Sequence, residues 1–530
     1  MHFYKYFVFL FFSILPANSY KILVLFPFTA KSHWLMFEYL IEELLRREHE
    51  VTAITSFKPD RGLLLNGHEN YTEILIDPPF NPDSMVSFKQ FYERKSHSHV
   101  TSLLNIYDIG YATSKHGLQD KKVQHLIKSD ENHFDIIIAE QFMQESWLMF
   151  AYKYRAPVVT LNTFGYSDAY DRIYGYYTPW SVVSHHLLPY NDEMSFIERA
   201  HNALICSIDW ALRNFYHYPK QQALIDEYFV PHMKLMKNES FPDIYKLERK
   251  VALILVNSHV ALDHPRPSMP NLINVGGIHL RPTNPLPEDL KKFIDEASHG
   301  VIYFSFGSNI RGQDMPEKLQ ETFIEVFRNL PQRVLWKFEG VVPENIPENI
   351  LIWKWFPQHD ILAHPNVRLF ITHGGLFSMQ ESLFNGIPML IIPFFNDQFK
   401  NAARATREGY GKKQFLHEIT HESLNQTISD LLNDEKYRIR AQEVAEIFND
   451  NLKEPMETAI YWIEYVAKHK KAREFLISKA IKLHLWEFYM LDVIFAVTII
   501  GLLFAWIIKN LVKICCSCLK NHNLQKNKVE

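Results

Sequence analysis

The sequence predicts an α/β protein with two doubly wound domains and one membrane-spanning helix near the C-terminus. Two series of short apolar runs alternate with helical patterns, which is typical of open parallel sheets covered by helices. Prolines cluster between the two series and indicate an irregular linker. An apolar stretch of about 20 residues near the C-terminus is long enough to cross a bilayer as a helix.

The first series opens with a βαβ pattern just after residue 20. Continuous apolar runs bounded by turn residues predict buried parallel strands, and apolar residues at helical spacing predict the helices between them. The predicted strands are 21–27, 50–55, 135–139 and 156–161, and the predicted helices are 34–47 and 144–154. We therefore expect a first domain at 20–270.

The second series begins with an apolar run at 251–256 and continues after two groups of prolines. Its remaining predicted elements are the strand 300–308, which enters a Gly/Ser turn, the helix 316–329 and the strands 333–338, 369–372 and 389–393. We expect a linker at 271–287 and a second domain at 288–487, whose last helices can pack back on the first domain. Ligands of such folds bind beyond the carboxyl ends of the strands, so the cleft between the domains is the expected site.

Both ends of the chain carry targeting features. A basic start, a short apolar run and small residues predict a secretory signal peptide at 1–19, and the run is too short to favour the alternative of a first membrane-spanning helix. The second apolar run predicts a span at 488–508, with a buried core helix as the alternative. Lysines just beyond this run place the tail, 509–530, in the cytosol.

The tail also indicates the endoplasmic reticulum membrane. Lys526 and Lys528 resemble a dilysine retrieval signal. Asn70, Asn238 and Asn425 each begin a glycosylation sequon, which is consistent with lumenal surface, although their occupancy stays open. The expected arrangement is type I, with both domains in the lumen.

The composition of the chain argues against nucleic acid as a binding partner. The formal net charge of −4 gives no electrostatic support for nucleic-acid binding, and the oligomeric state stays open. Cys206 is the only cysteine of the predicted lumenal body, so it has no intrachain partner there. Cys515, Cys516 and Cys518 follow the span, and whether they are palmitoylated is open.

The stretch 180–228 is rich in aromatic residues and His, and it predicts helices over an apolar surface. Two interpretations stay open for it. One is that these helices belong to the hydrophobic core, and the other is that they form an apolar acceptor pocket or a membrane-facing lid.

The most informative segment runs from residue 355 to residue 398. Its central part, 373–375, places a histidine and two glycines between a predicted strand and a predicted helix. Glycines let a backbone approach a ligand closely, and a helix N-terminus offers free N–H groups that suit a phosphate. His373 can donate a further hydrogen bond, and Ser308, after its own strand, is a second candidate phosphate contact.

The flanks of this segment supply groups that suit a nucleotide and a sugar. Trp355 offers a flat face for a base, and Gln358 can bond the edge of that base. Glu381 can accept both ribose hydroxyls, while Asp397 and Gln398 suit sugar hydroxyls.

These motifs resemble the donor signature of the UDP-glycosyltransferase superfamily, whose animal members include UDP-glucuronosyltransferases and UDP-glucosyltransferases. The matching elements fall in order: Trp-x-Pro-Gln, His-Pro, Thr-His-Gly-Gly, Glu-Ser, Gly-Ile-Pro and Asp-Gln. The resemblance covers essentially the whole chain. It implies a GT-B fold, with the acceptor bound by the N-terminal half and the UDP-sugar by the C-terminal half, and an inverting mechanism without metal or cofactor. The sequence holds no Asp-x-Asp metal motif.

The resemblance also implies residue roles. Trp355 would stack on uracil and Gln358 would bond it, Glu381 would bind ribose, and Asp397 with Gln398 would hold the sugar. Ser308 and His373 would hold the diphosphate, and Gly375 and Ser378 belong to the same UDP-sugar-binding segment. Lys337 stands where the family often has an arginine near the phosphates.

His33 is the expected catalytic base. It follows the first strand at its carboxyl end, and an imidazole with an ordinary pKa of about 6.5 suits proton abstraction near neutral pH. Glu140 stands where the family commonly has an aspartate that orients the histidine. A glutamate reaches one methylene further, so the pair can persist with adjusted geometry.

The expected function is transfer of glucose or glucuronate from a UDP-sugar, the co-substrate, to a hydroxyl of a small lipophilic acceptor, as in detoxification. Glucose is favoured because no carboxylate clamp is visible. The alternatives are a UDP-sugar hydrolase or epimerase on the same fold, and a non-catalytic UDP-sugar-binding membrane protein.

Overall fold

The computed structural model describes residues 19–60, 64–79, 88, 98–233, 240–343 and 345–526. Most of the predicted signal peptide, the sequon at Asn238 and the tail residue Lys528 lie outside these ranges, as does the side chain of Lys526. The other two sequons, at Asn70 and Asn425, lie within them.

The first domain is built around a seven-stranded parallel sheet in the order β3-β2-β1-β4-β5-β6-β7. Its strands are β1 Lys21–Phe26, β2 Glu50–Thr55, β3 Tyr71–Leu75, β4 Ile136–Glu140, β5 Val158–Asn162, β6 Val251–Val256 and β7 Leu272–Asn274. Strands β4, β5 and β6 are buried along their whole length, which explains why they are continuous apolar runs.

The second domain is built around a six-stranded parallel sheet in the order β10-β9-β8-β11-β12-β13. Its strands are β8 Val301–Ser305, β9 Arg333–Lys337, β10 Ile350–Trp353, β11 Val367–Thr372, β12 Met389–Ile391 and β13 Gly411–Lys413. The two sheets confirm the predicted α/β architecture of doubly wound domains.

Helices cover both sheets. In the first domain they are α1 Lys31–Arg46, α2 His99–Gln119, α3 Lys121–Lys128, α4 Met149–Tyr154, α5 Asp171–Tyr174, α6 Phe196–Leu212, α7 Tyr218–Tyr228 and α8 Ile244–Glu248. In the second they are α9 Glu288–Asp295, α10 Glu317–Arg328, α11 Gln358–Leu362, α12 Leu376–Phe384, α13 Gln398–Glu408, α14 His421–Asn433 and α15 Glu435–Asn449. The C-terminal helices are α16 Pro455–Lys468, α17 Arg473–Leu476, α18 Leu485–Phe488 and α19 Leu491–Lys526.

Strand order fixes where each sheet can bind a ligand. In the first sheet the order reverses between β1 and β4, and in the second it reverses between β8 and β11. The connections that leave such a pair run to opposite faces of the sheet, which opens a crevice at the carboxyl ends of the two strands. The two crevices are therefore the places where functional side chains are expected.

Helix α16 belongs to the second half of the chain but packs on the first domain. Its residues Ile460, Ile463 and Val466 join the buried cluster that contains Val24 of β1. Arg47, just after α1, also pairs with Glu457 at 2.6 Å. This helix therefore connects the two halves of the molecule.

Helix α19 contains a segment, Leu491–Cys518, that is long and apolar enough to cross a membrane, with a mean hydropathy of 2.6 and an exposed surface. The helix does not end near residue 508, where the sequence pattern loses its apolar run, but continues to Lys526.

Two further elements differ from expectation. The predicted helix 144–154 is divided into a 3-10 turn, Glu145–Leu148, and the short helix α4. The stretch 180–228 becomes helical only at α6, and a π-helical turn, Arg213–His217, joins α6 to α7.

Candidate active site

One cavity of about 600 Å³ lies between the two domains. Among its lining residues in the first domain are Phe28, His33, Asn105, Phe142, Phe164 and His186. Among those in the second domain are Ser308, His373, Gly375, Ser378, Asp397 and Gln398. The cavity therefore receives the carboxyl ends of β1 and β4 from one side and those of β8 and β11 from the other.

His33 and Glu140 form an ion-pair geometry at the reversal point of the first sheet. His33 lies in the first turn of α1, Glu140 is the last residue of β4, and Nδ1 of the histidine is 2.6 Å from Oε1 of the glutamate. The glutamate side chain is fully buried, whereas the histidine keeps some exposure to the cavity. The longer glutamate side chain thus reaches the histidine directly.

Thr163 completes this arrangement. Its hydroxyl lies 2.9 Å from Nδ1 of His33 and donates to the same Glu140 oxygen at 2.9 Å. A carboxylate that accepts a hydrogen bond fixes the proton of a neutral imidazole on the nitrogen that faces it. Nδ1 of His33 therefore carries the proton, and Nε2 is left as the basic nitrogen.

Three phenylalanines surround the imidazole. The ring centroids of Phe28, Phe142 and Phe164 lie 5.4, 5.5 and 6.1 Å from that of His33. Because all three also line the cavity, a molecule that reaches His33 meets aromatic surface.

The crevice of the second sheet is formed by glycines that pack against His373. A Cβ atom on Gly307 would lie 2.6 Å from Cε1 of the histidine, and one on Gly375 would overlap Nε2. Gly374, which precedes Gly375 in the chain, has a φ of +85° that favours glycine. Helix α12 starts directly after Gly375, so its first N–H groups point toward this crevice.

His373 is nearly enclosed, and burial lowers its pKa to about 4, with the nearby Lys337 ammonium as a second cause. The imidazole is therefore neutral at pH 7 and can donate one hydrogen bond. Together with the N-terminus of α12, it suits an oxyanion.

A hydrogen-bonded group of three side chains follows along α11 and α12. The amide of Gln358 donates to Oγ of Ser378 at 3.0 Å and to Oε2 of Glu381 at 2.6 Å. Burial raises the pKa of Glu381 to about 7. This carboxyl group is therefore poised between its two protonation states near neutral pH.

Trp355 is 57% exposed, and two lysines approach it. Nζ of Lys31, from the first domain, lies 4.5 Å from the ring centroid, and Nζ of Lys337, from β9, lies 5.4 Å from it. Lys337 also pairs with Glu339. The indole face is therefore accessible and bordered by positive charge.

Asp397 and Gln398 lie where α13 begins. Burial raises the pKa of Asp397 to about 6, and the amide of Asn401 donates to its Oδ2 at 2.8 Å. Oε1 of Gln398 accepts hydrogen bonds from the N–H groups of Phe394 and Phe395 and so stabilises the turn before α13. The Asp397 carboxyl remains at the cavity wall.

A buried chain of hydrogen bonds joins the two domains behind the cavity. The Gln380 amide of α12 donates to Oδ1 of Asn257 at 2.8 Å, and Nδ2 of Asn257 donates to the carbonyl of Thr163 at 2.8 Å. The N–H of Gly277 donates to Oε1 of Gln380. The helix that carries Ser378 and Glu381 is thus connected to the backbone beside His33.

The structure brings most of the predicted site residues together. Seven line the cavity, namely His33, Ser308, His373, Gly375, Ser378, Asp397 and Gln398. Glu140 contacts His33. Gln358 donates to Ser378 and to Glu381. The Lys337 ammonium lies beside the Trp355 ring. Ser308 lies in the loop after β8, where a Gly/Ser turn was predicted, and the next α-helix, α10, begins at Glu317.

Sequence reasoning missed Lys31, Thr163, Asn257 and Gln380. Thr163 and Asn257 each follow a buried strand, β5 and β6, and that position was a usable signal. Gln380 carries no such signal in the sequence, because its partner, Asn257, is 123 residues away in the chain.

Comparison with known proteins agrees with this geometry. The chain is 32% identical to UDP-glycosyltransferase UGT4 of Dactylopius coccus over 93% of this chain and 95% of that protein. It is 28% identical to UDP-glucuronosyltransferase 1A9 of Homo sapiens over 87% of this chain and 86% of that protein.

Solved structures share the fold. The glycosyltransferase of kitacinnamycin superposes with a TM-score of 0.57 at 16% identity, covering 84% of this chain and 99% of that one. Glycosyltransferase VinC in complex with DTDP gives a TM-score of 0.55 at 15% identity, covering 85% and 100%. The fold is therefore GT-B, as expected, with an apolar C-terminal helix.

The family described as UDP-glucoronosyl and UDP-glucosyl transferase matches residues 21–526. The chain belongs to this family of glycosyltransferase enzymes.

Proposed function

We propose that the protein transfers a hexosyl group from a UDP-sugar to a hydroxyl group of a small lipophilic acceptor, with inversion at the anomeric carbon and without a metal ion. The observation that carries the proposal is the shared cavity. It places the basic nitrogen of His33, held by Glu140, opposite the helix N-terminus and the neutral His373 of the second domain.

His33 is the catalytic base in this proposal. Its Nε2 takes the proton of the acceptor hydroxyl while the acceptor oxygen forms a bond to the anomeric carbon. The bond from that carbon to the phosphate oxygen breaks, and UDP leaves with the bonding electrons. Glu140 stabilises the imidazolium that forms, and Thr163 fixes the carboxylate through the hydroxyl contact at 2.9 Å.

The donor occupies the second domain. Uracil stacks on the exposed face of Trp355 and bonds Gln358, and ribose hydroxyls donate to Glu381. The diphosphate lies at the N-terminus of α12 beside His373, with Ser308 facing it across the crevice and Lys337 near the same region. These groups stabilise the negative charge that develops on the leaving oxygen.

Asp397 and Gln398 bind the sugar. The cavity wall carries no Lys or Arg within the described part of the chain, and Asp397 adds an acidic group. A uronate carboxylate would meet this carboxyl group in a wall without Lys or Arg, so a neutral hexose is the better ligand. We therefore propose glucose as the donor sugar in preference to glucuronate.

The acceptor lies among Phe28, Phe142 and Phe164, which favours an aromatic or other flat apolar molecule with one hydroxyl at His33. Such acceptors are conjugated in detoxification. We place the protein in the endoplasmic reticulum membrane, with α19 as the span and both domains in the lumen, on the strength of the signal-peptide pattern, the helix and the dilysine-like tail.

The test uses the purified full-length protein in detergent with a simple phenol. UDP-glucose and UDP-glucuronate compete for the enzyme, and the glycoside is identified by mass spectrometry and its anomeric configuration by NMR. The proposal predicts a β-glucoside as the main product and full activity with a chelator present. UDP-sugar breakdown without acceptor would indicate a hydrolase, and UDP binding without transfer to a broad acceptor panel would indicate a non-catalytic protein.

A further inference from the structure

We infer that Lys31 binds the diphosphate of the donor, so that the first domain contributes a cation to a donor site formed otherwise by the second domain. The inference rests on the proposed function and adds a residue to it. It starts from the position of the Lys31 ammonium, 4.5 Å from the centroid of the Trp355 ring.

Lys31 is the first residue of α1 and precedes the base, His33, by two positions. Its side chain crosses from the first domain to Trp355, the residue expected to stack on uracil. The positive end of a helix dipole disfavours a cation in the first turn. The helix dipole therefore does not account for a lysine at this position, and an anion bound to the ammonium would offset the cost.

The charges around Trp355 point to that anion. Lys337 approaches the same ring at 5.4 Å, but it is paired with Glu339. Lys31 has no carboxylate partner within 4.0 Å among the described residues. Lys31 is therefore the ammonium near this ring whose charge a bound anionic group would compensate.

No Lys or Arg is among the described residues that line the cavity, and Lys337 is paired with Glu339. His373 is neutral at pH 7, because burial lowers its pKa to about 4, and the start of α12 supplies only a partial charge. A base that stacks on Trp355 displaces the Lys31 ammonium from the ring. The flexible four-carbon stem then lets it reach the diphosphate.

This contact would also connect donor binding to the base. Lys31 and His33 share the first turn of α1, so a lysine held by the diphosphate restrains the turn that carries the imidazole. Donor binding would then order the base before an acceptor arrives.

The experiment measures the affinities of UDP and uridine by calorimetry, without acceptor, for wild type, Lys31→Met and Lys31→Arg. Lys121→Met is the matched control, because Lys121 is also the first residue of a helix, α3, and is exposed. We expect Lys31→Met to weaken UDP binding about tenfold and to leave uridine binding within about twofold. Lys31→Arg should restore most of the UDP affinity, and the control should match wild type.

Salt supplies a second readout. The difference between wild type and Lys31→Met in UDP affinity should shrink between about 0.05 M and about 0.5 M NaCl, because ions screen an exposed charge pair. Unchanged UDP affinity in Lys31→Met overturns the inference. Tighter binding of both UDP and uridine also overturns it, since Lys31 would then only compete for the Trp355 face. Neither result depends on transfer, so the proposed function is tested separately by activity.

Discussion

The buried amide of Gln380 in α12 donates to the amide oxygen of Asn257 at the end of β6, at a distance of 2.8 Å. Asn257 in turn donates to the carbonyl of Thr163, whose hydroxyl contacts both His33 and Glu140. The helix that is proposed to hold the donor and the loop that positions the base are therefore parts of one hydrogen-bonded chain across the interdomain boundary.

Replacing Gln380 by Leu should lower kcat more than it changes the donor KM. The variant leaves Asn257 Oδ1 and the N–H of Gly277 without their partner, which costs roughly 1–3 kcal/mol of stability and loosens the position of the base. We expect a fall in kcat of about tenfold, measured by steady-state kinetics. Gln426→Leu, on the exposed surface of α14, is the control.

A double-mutant cycle with Asn257→Ala separates this contact from general damage. The losses in kcat for the two single variants should not add, because each removes the same hydrogen bond. Additive losses would mean that Gln380 and Asn257 act independently.

Glu140→Gln should reduce transfer while UDP binding stays unchanged. A glutamine can donate to Nδ1 of His33 and so favour the tautomer that has no basic Nε2 in the cavity. We expect kcat to fall by about 10²–10⁴-fold, the range seen for general acid–base groups. Glu140→Asp, which keeps the charge, should retain part of the activity. An active Glu140→Gln enzyme would contradict the role given to this carboxylate.

Donor affinity should increase with pH through neutrality. Burial raises the pKa of Glu381 to about 7, and only the ionised carboxylate accepts hydrogen bonds from both ribose hydroxyls. Calorimetry with UDP-glucose should therefore show tighter binding at pH 8 than at pH 6. Glu381→Gln should bind more weakly at pH 8 and lose most of this dependence. A wild-type affinity that is flat across this range would contradict the assignment.

The same carboxyl group gives a stability prediction with a definite sign. Its pKa rises from 4.5 to about 7 on folding, so its contribution to stability is fully present below pH 4.5 and is lost as pH rises through about 7. The melting temperature of Glu381→Gln relative to wild type should therefore increase from pH 5 to pH 8. A difference that stays flat over this range would show that Glu381 is ionised in the folded protein throughout.

Arg213→Met should strongly destabilise the first domain. The guanidinium is buried and donates to Glu145 at 2.7 Å, to Glu248 at 3.0 Å and to the hydroxyl of Tyr218 at 2.8 Å. Breaking a buried ion pair costs about 3–5 kcal/mol. Thermal denaturation should show a large drop in the midpoint, whereas Arg46→Met, which removes an exposed pair with Glu42, should change it little. Equal midpoints would contradict the structural role of Arg213.

Much of the fold could be predicted because the central strands are buried on both faces. The strands β1, β4 and β8 appear in the sequence as unbroken apolar runs. The outer strands gave no comparable signal. β13 has the sequence Gly-Lys-Lys, and β3 is only half-buried, since both lie at the edges of their sheets.

The site residues also fall into those that the sequence could predict and those that it could not. His33 and His373 were visible because each follows a strand at a position where a doubly wound sheet binds ligands. The Gln380–Asn257 contact and the position of Lys31 over Trp355 depend on how the two domains face each other. No local sequence pattern carries that information.

The most direct measurement compares His33→Ala with wild type in acceptor-dependent transfer and in UDP affinity, with the same purified protein. Our account predicts that transfer falls by at least about 10²-fold while the UDP dissociation constant stays within about twofold. Transfer by His33→Ala at the wild-type rate, with UDP bound equally well, would contradict the account.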